Sequence, residues 1–248
     1  MSERAPTRGD DPPQPELGEP VDDRPARRPE RVTLHGRDVT LVPLDPAAHA
    51  DALFESTSGP DHDPVWTYLL NGPFHDRASF RQFISAMADS DDPLFFAITR
   101  TDDGLARGLA AYMRIEPQHR VVEVGSIVYG PALQRTRGAT EAMYLMARHV
   151  FEVLGYRRYE WKCNALNAPS RRAALRLGFT FEGIFRQHMI VKGRNRDTAW
   201  FSMLDSEWPS KRARFEEWLA PGNFDAAGRQ KRSLAPRGRP NEENNRAL

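Results

Sequence analysis

The sequence predicts an α+β fold in which helices flank a sheet. Two observations favour this class. The stretch from Val121 to Phe181 contains, in order, an apolar strand, a basic turn with a glycine, a helix, a second strand and a second helix. The apolar runs before it are short and are separated by turn residues, which predicts a meander of neighbouring strands. Such a meander breaks the regular strand–helix alternation of a doubly wound sheet.

Local signals predict the elements on either side of this central unit. Apolar and polar residues alternate over residues 32–43, which predicts a strand or hairpin, and Asp45 is placed to cap the next helix. The other predicted elements are a helix capped by Asp76 or Ser79, a hairpin turning at 101–104, a strand at 123–129, a helix from Glu141, a strand from Tyr159, a helix from Ser170, a hairpin turning at 192–195 and a closing helix after Trp208.

Both ends of the chain are rich in proline and charged residues and are nearly free of large apolar side chains. Such segments bury too little apolar surface to offset the entropy of an ordered chain. We therefore expect disordered tails at 1–30 and 223–248, and one folded domain over 31–222.

Composition narrows the classes of function. The chain has 248 residues, and its 35 Lys and Arg balance 34 Asp and Glu, so no overall field favours nucleic acid or a membrane surface. The single cysteine, Cys163, excludes an internal disulfide and a cysteine-rich zinc site, and the scattered histidines predict no metal site. No apolar run resembles a signal peptide or a membrane span, so a cytoplasmic location is expected.

The basic turn before the central helix has the features of a phosphate-binding loop. Gly138 lets the backbone approach an anion closely, and Arg135 and Arg137 add positive charge. Free N–H groups and the dipole at the start of the helix favour an anion in the same place. A solvated surface turn is the alternative. Neither GxxxxGK[ST] nor GxGxxG occurs in the sequence, which disfavours a nucleotide-binding α/β protein.

Three segments, beginning at Val122, Phe151 and Phe181, resemble the GNAT superfamily of acyl-CoA-dependent N-acyltransferases, and within it the RimJ/RimL-like subgroup. The resemblance covers roughly residues 32–218. It implies a mixed, mostly antiparallel sheet that splays open after its fourth strand, is flanked by helices and holds acetyl-CoA in the gap. The phosphate-binding pattern of the family matches except at Thr140, where Gly or Ala is usual.

The same resemblance implies which residues bind the cofactor. The phosphates would meet the basic turn, and the pantetheine arm would pair with a strand backbone and an asparagine. The implied residues are Arg135, Arg137, Gly138, Ala139 and Thr140 for the phosphates, the backbone of Ile127 and Val128 and the side chain of Asn167 for pantetheine, and Arg171 for the adenosine phosphates. The other interpretations are an ordinary turn residue for Asn167 and a solvated helix face for Arg171.

Glu123 is the candidate base, because a carboxylate in a strand of apolar and small residues needs a reason to be buried. Pairing with an arginine such as Arg114 or Arg120 is the alternative. Similar proteins use a tyrosine to protonate the leaving thiolate, but Ala174 occupies that position here. Ser170 is the expected substitute, with helix capping as its other role, and Tyr129 is the second candidate.

The resemblance also implies the reaction, which is transfer of an acetyl group to a primary amine of a small molecule or of a protein N-terminus. Succinyl-CoA as the donor, and a non-catalytic acyl-CoA-binding module, are the alternatives. The loop after the first helix and the last hairpin would contact the acceptor, and an exposed aromatic loop is also compatible with a homodimer. The expected acceptor residues are Trp66, Tyr68, Phe74 and His188.

Overall fold

The computed structural model describes residues 17–235, in which helices cover an eight-stranded sheet. The strands are β1 (Leu34–His35), β2 (Val39–Pro43), β3 (Leu94–Arg100), β4 (Ala106–Glu116), β5 (Val121–Tyr129), β6 (Arg158–Asn164), β7 (Thr180–Val191) and β8 (Arg194–Leu204). The helices are α1 (Pro46–Thr57), α2 (Arg77–Ala88), α3 (Arg137–Arg148), α4 (Ala168–Leu177) and α5 (Trp208–Leu219), with 3₁₀ segments at Pro60–Trp66 and Pro221–Asn223 and a π-helical segment, His149–Leu154, directly after α3.

The sheet is mixed and mostly antiparallel, as predicted. Its order is β1-β2-β3-β4-β5-β6-β8-β7, and β5 with β6 is the parallel pair. That pair is short, because it ends where Val124 meets Trp161. The strands diverge beyond this point, so the sheet splays after β5, which is the fourth strand when the two-residue β1 is left uncounted.

A β-bulge bends β5 directly after the paired stretch. Gly125 pairs with Ala111 and Val128 with Leu109, so two residues of β5 face one residue of β4. Ser126, inside the bulge, has a φ of 50°. A bulge increases the local twist and bends its strand. The bend in β5 therefore accompanies its separation from β6.

The two faces of the sheet pack differently. On one face α3, α4 and α5 bury a large core that includes Tyr112, Met146 and Phe201. On the other face α1 and α2 pack against β3 and β4 through residues such as Leu53 and Phe80. Further along that second face, β5, β6 and β8 bear charged and aromatic side chains instead of a core.

Side-chain caps set the starts of four helices. Asp45 accepts a hydrogen bond from the Ala47 N–H and Asp76 from the Ser79 N–H, as expected of N-caps. Thr136 caps α3, which begins four residues before the predicted start at Glu141. The last cap is Asn167, which accepts from the Ser170 N–H, so the capping role suggested for Ser170 belongs to Asn167.

Residues within both predicted tails contact the folded domain. The Ala26 N–H donates to the Pro117 carbonyl, and Leu234 is buried in the core. The boundaries at residues 30 and 222 stay predictions, and residues 1–16 and 236–248 lie outside the described part of the chain. Within residues 17–235 no helix is long and apolar enough to cross a membrane.

The buried Glu141 side chain should make a large contribution to stability, because it joins α3 to the hairpin turn that precedes β2. Its carboxylate accepts from the N–H groups of Arg37 at 2.8 Å, Asp38 at 2.7 Å and Val39 at 3.1 Å. Glu141→Ala leaves these donors without an acceptor, and we expect the free energy of unfolding to fall by about 1–3 kcal/mol in urea titrations. Glu55→Ala, on an exposed helix face, should change it by less than about 0.5 kcal/mol. Equal losses in the two variants would contradict this role.

Candidate active site

Glu123 lies on β5 at the point where β5 and β6 diverge. Its side chain is 3% exposed, and two cations hold its carboxylate. Arg114 Nη1 lies 2.7 Å and Lys162 Nζ 3.0 Å from the same oxygen, Oε2. Of the two arginines that the sequence suggested, Arg114 is the partner, whereas Arg120 donates to the Gly155 carbonyl. Lys162 was not anticipated.

Burial and charge act in opposite directions on Glu123. Burial raises the pKa of the Glu123 carboxyl above its ordinary value, and the nearby Lys162 and Arg114 only partly offset that rise. A carboxyl with a raised pKa keeps its proton to higher pH than usual, and once ionised it is a stronger base than an exposed glutamate. The Glu123 carboxylate is therefore both more basic than an exposed glutamate and shielded from bulk water.

A network of ion pairs extends from Glu123 along β6. Lys162 also binds Glu160 at 2.6 Å, and Arg158 bonds Glu160 at 2.6 Å. The ring of Trp200 lies over Lys162, with 3.8 Å between Nζ and the ring centroid. Sequence reasoning missed both Lys162 and Trp200. The signal that was available is the alternation of charged and apolar residues through β6, which places Glu160 and Lys162 on one face.

A cavity of about 670 Å³ opens in front of the N-terminus of α3. Thr136 satisfies the Ala139 N–H, whereas the N–H groups of Arg137 and Gly138 have no acceptor among residues 17–235. The cavity lining includes the predicted phosphate turn, Arg37 on one side and Phe224 of the C-terminal segment on the other. Free donors beside an open cavity fit an anionic group such as a diphosphate.

The predicted phosphate-binding residues lie together at the start of α3, but they differ in exposure. Arg135 is exposed, with a φ of 60°, whereas Arg137 is held by Asp38 and stacks over the Phe224 ring. Thr140 is buried on the α4 side, where its hydroxyl accepts from Arg176 Nη1 at 3.0 Å. Backbone groups and Arg135 are thus the parts of the turn that remain available to a ligand.

Gly138 faces the sheet, and Ala139 beside it is buried. A Cβ atom on Gly138 would lie 2.8 Å from Val39 Cγ1, which is closer than side chains tolerate. The absence of a side chain therefore lets α3 approach β2 closely, and this packing sets the position of the free N–H groups.

The β6–α4 corner brings Asn167, Ser170 and Arg171 together. The Ser170 hydroxyl oxygen accepts from Trp161 Nε1 at 3.0 Å. Burial raises the pKa of the neighbouring Cys163 thiol, and a hydrogen bond with Ser170 opposes that rise. The buried Arg171 donates from Nη1 to the Ala165 carbonyl at 2.9 Å, and this bond stabilises the β6–α4 connection.

Tyr129, Ile127 and Val128 lie on the part of β5 beyond its pairing with β6. The backbone edge that faces the gap is therefore open to a ligand that pairs like a strand. The Tyr129 hydroxyl donates to the Ala139 carbonyl at 3.2 Å, and burial raises the pKa of Tyr129 well above its ordinary value.

The predicted acceptor residues divide between core and cleft. Trp66 is 1% exposed, donates from Nε1 to the Thr57 carbonyl and packs edge-on against Phe74. Tyr68 is half-buried in the loop that follows. His188 lies on the polar face, where its Nδ1 bonds the Thr198 hydroxyl at 2.9 Å.

The last hairpin reaches across to the aromatic loop. Lys192, at its tip, donates to the Trp66 carbonyl at 2.9 Å. Trp200, on β8 of the same hairpin, covers Lys162 with its ring and packs against Phe185, with 4.5 Å between the ring centroids. The hairpin and the loop thus frame the face that bears Glu123. Among residues 17–235 no group of His, Cys, Asp and Glu could hold a metal ion.

Comparison with known proteins identifies the family. Residues 38–180 match the model of the acetyltransferase (GNAT) domain. This protein belongs to the GNAT acetyltransferase family. A crystal structure of a GCN5-related N-acetyltransferase from Brucella melitensis is 53% identical to it, covers 85% of this chain and 95% of its own, and superposes with a TM-score of 0.83.

Two Bacillus proteins are more distant relatives of this GNAT enzyme. The uncharacterized N-acetyltransferase p20 of Bacillus licheniformis is 26% identical over 181 residues, which span 71% of this chain and 98% of the relative. The uncharacterized N-acetyltransferase YoaA of Bacillus subtilis is 28% identical over 62% of this chain and 87% of its own. The enzyme is thus an acyl-CoA-dependent N-acetyltransferase.

Close packing at Gly138 should be necessary for cofactor affinity. Gly138→Ala brings its methyl group against Val39, which displaces the first turn of α3 from β2, and we expect CoA affinity to fall at least about tenfold in calorimetric titrations. Adding Val39→Ala removes the opposing methyl groups and should restore part of the affinity. An unchanged affinity in Gly138→Ala would contradict the assignment of this turn to the cofactor.

Proposed function

We propose that this protein transfers the acetyl group of acetyl-CoA to a primary amine, with Glu123 as the base. The observation that supports this proposal most directly is the position of Glu123. It is a buried carboxylate at the mouth of the splayed sheet, held by Arg114 and Lys162, with a raised pKa. Buried ionisable groups with shifted pKa values in a cleft are typical of catalytic sites.

The residues at the start of α3 fit the cofactor. The N–H groups of Arg137 and Gly138 and the guanidinium of Arg135 would hold the diphosphate, and the open edge at Ile127 and Val128 would hold the pantetheine arm. Bound acetyl-CoA supplies an acyl carbon activated as a thioester. Thr140 and Arg171 already bond other groups of the protein, so we assign them to supporting this arrangement.

The acceptor must lose a proton before it can attack. An alkyl amine with a pKa near that of lysine, about 10.4, is almost wholly protonated at neutral pH. Glu123 accepts this proton, directly or through a water molecule, and burial makes it a better acceptor than an exposed carboxylate. Arg114 and Lys162 keep enough of Glu123 ionised to act.

The departing thiolate needs a proton, and the structure favours Ser170 over Tyr129 as its donor. The Ser170 oxygen accepts from Trp161 Nε1, so the hydroxyl keeps its hydrogen for donation, and its present partner is the sulfur of Cys163, which bound cofactor would have to replace. The Tyr129 hydroxyl donates its hydrogen to the Ala139 carbonyl, and burial further disfavours its ionisation. The tyrosine usual in similar proteins is replaced by Ala174, which lies in the core.

For the acceptor we propose a small amine or a protein N-terminus, in keeping with the RimJ/RimL-like subgroup that the sequence segments resemble. The cleft framed by the last hairpin and the aromatic loop is the place where such an acceptor would lie, with Tyr68, Phe74 and His188 near it. An assay of free thiol release from acetyl-CoA, with N-terminal peptides, small amines and amino acids as candidate acceptors, would identify the acceptor.

Parallel reactions with succinyl-CoA in place of acetyl-CoA test the identity of the acyl donor. Binding of CoA without thiol release from any combination would favour the non-catalytic alternative. A homodimer stays a prediction.

Glu123→Gln should lower kcat by about 100-fold or more, because it removes the base while preserving the size of the side chain. CoA affinity should be unchanged, since Glu123 lies away from the phosphate turn. Steady-state kinetics and calorimetry separate the two effects, and Glu55→Gln, on the exposed face of α1, is the control. Wild-type turnover in Glu123→Gln would remove Glu123 as the base.

Arg114→Gln should shift the acidic limb of the pH–rate profile to higher pH. The neighbouring positive charge favours the ionised form of Glu123, so its loss raises the pKa of Glu123 further, and a higher pH is needed to ionise the base. Arg81→Gln, which breaks an exposed pair with Asp51, should leave the profile in place. A shift to lower pH in Arg114→Gln would contradict the assignment.

A further inference from the structure

The pairing of β8 with β6 ends at Thr198, and Arg196 lies on β8 two residues earlier in the chain, past the end of that pairing. Side chains along β8 alternate between the core and the polar face, and Trp200 on the polar face covers Lys162. Arg196 is four residues before Trp200 and so faces the same side as Glu123. It therefore stands at the edge of the gap between the splayed strands.

The Arg196 guanidinium is half-buried and makes no hydrogen bond or ion pair with any residue that the structure describes, and its Nε is shielded from solvent. Burial lowers the pKa of Arg196, and the neighbouring Cys163 and Glu123 partly oppose this effect. Those two groups are thus within electrostatic range of the guanidinium. An arginine nitrogen buried without an acceptor is costly, unless a ligand supplies one.

The carboxylates of this face are already engaged by other cations. Arg196 therefore keeps an uncompensated positive charge close to the base. The pairs are Glu123 with Arg114 and Lys162, Glu160 with Lys162 and Arg158, and Glu182 with Arg158.

We propose that Arg196 binds a carboxylate group carried by one of the two reactants, an inference that rests on the proposed acyl transfer. One guanidinium without a counter-charge matches one carboxylate, and a guanidinium edge presents two parallel N–H groups to its two oxygens. A polyamine would instead bring more positive charge to a face whose carboxylates are already paired.

The carboxylate has two sources. It belongs either to the acceptor, as in a free amino acid, or to the distal end of a dicarboxylic acyl group, as in succinyl-CoA. Two arms of one kinetic experiment distinguish them. The first arm pairs acetyl-CoA with amino acids and with the corresponding amino-acid amides. The second arm compares succinyl-CoA with acetyl-CoA on a neutral alkylamine.

In one arm the wild-type enzyme should prefer the carboxylate-bearing reactant by at least about tenfold in kcat/KM, the size expected of a charge-assisted bond. Arg196→Gln should abolish this preference and leave the neutral reactant within about twofold of the wild type. Arg196→Lys should recover part of the preference, because it restores the charge but not the paired donors. Arg81→Gln, at an exposed position of α2, is the control and should behave as wild type.

Two results would overturn the proposal. One is a wild-type enzyme without a carboxylate preference in either arm. The other is an Arg196→Gln variant in which kcat/KM falls equally for carboxylate-bearing and neutral reactants.

Calorimetry provides a readout that does not need turnover. It compares the binding of succinyl-CoA with that of acetyl-CoA, and the binding of N-acetyl amino acids with that of their amides in the presence of CoA. Thiol release from no combination would reject the proposed function, whereas carboxylate-selective binding that Arg196→Gln removes would still support the role of Arg196. Binding without selectivity would reject it.

Discussion

The end of the β5–β6 pairing after Val124 is the constraint on which the rest of the site depends. The bulge at Ser126 bends β5 away while β6 continues against β8, so each strand keeps only one partner beyond this point. A strand edge that has no partner in the sheet presents N–H and C=O groups that a ligand can use. The divergence therefore creates the gap in which we propose that the extended cofactor arm lies, and it brings Glu123, in the last paired stretch, to the mouth of that gap.

Burying Glu123 in this position requires compensation, and the structure supplies it from neighbouring strands. Arg114 approaches from the end of β4 and Lys162 from β6, and Trp200 of β8 shields Lys162 from solvent. Removing one partner from such a group leaves a buried charge uncompensated, which is costly. Burial and the cations pull the pKa of Glu123 in opposite directions. Their balance, rather than the carboxylate alone, sets the pH range over which Glu123 is ionised.

Much of the fold and part of the candidate site were predictable from the sequence, because their signals are local. The caps Asp45 and Asp76, the strand alternation and the glycine-bearing turn depend on residues close together in the chain. The start of α3 was misplaced by four residues, because Thr136 as an N-cap outweighed the apparent turn character of residues 137–140. Trp66 ends the 3₁₀ segment after α1 yet is buried against Phe74, because α2 packs onto it through Phe80 and Phe83.

The sequence by itself determined the family, the order of the elements and the place of the candidate phosphate turn, since these follow from spacing and motif. Only the tertiary structure decided which charges meet. Glu123, Lys162 and Arg114 lie on three strands, and their pairing depends on the register between those strands. Within residues 17–235 the Arg196 guanidinium has no partner, and this likewise depends on where β6 ends against β8. Electrostatic energy depends on distance and burial, and neither is written in the order of residues.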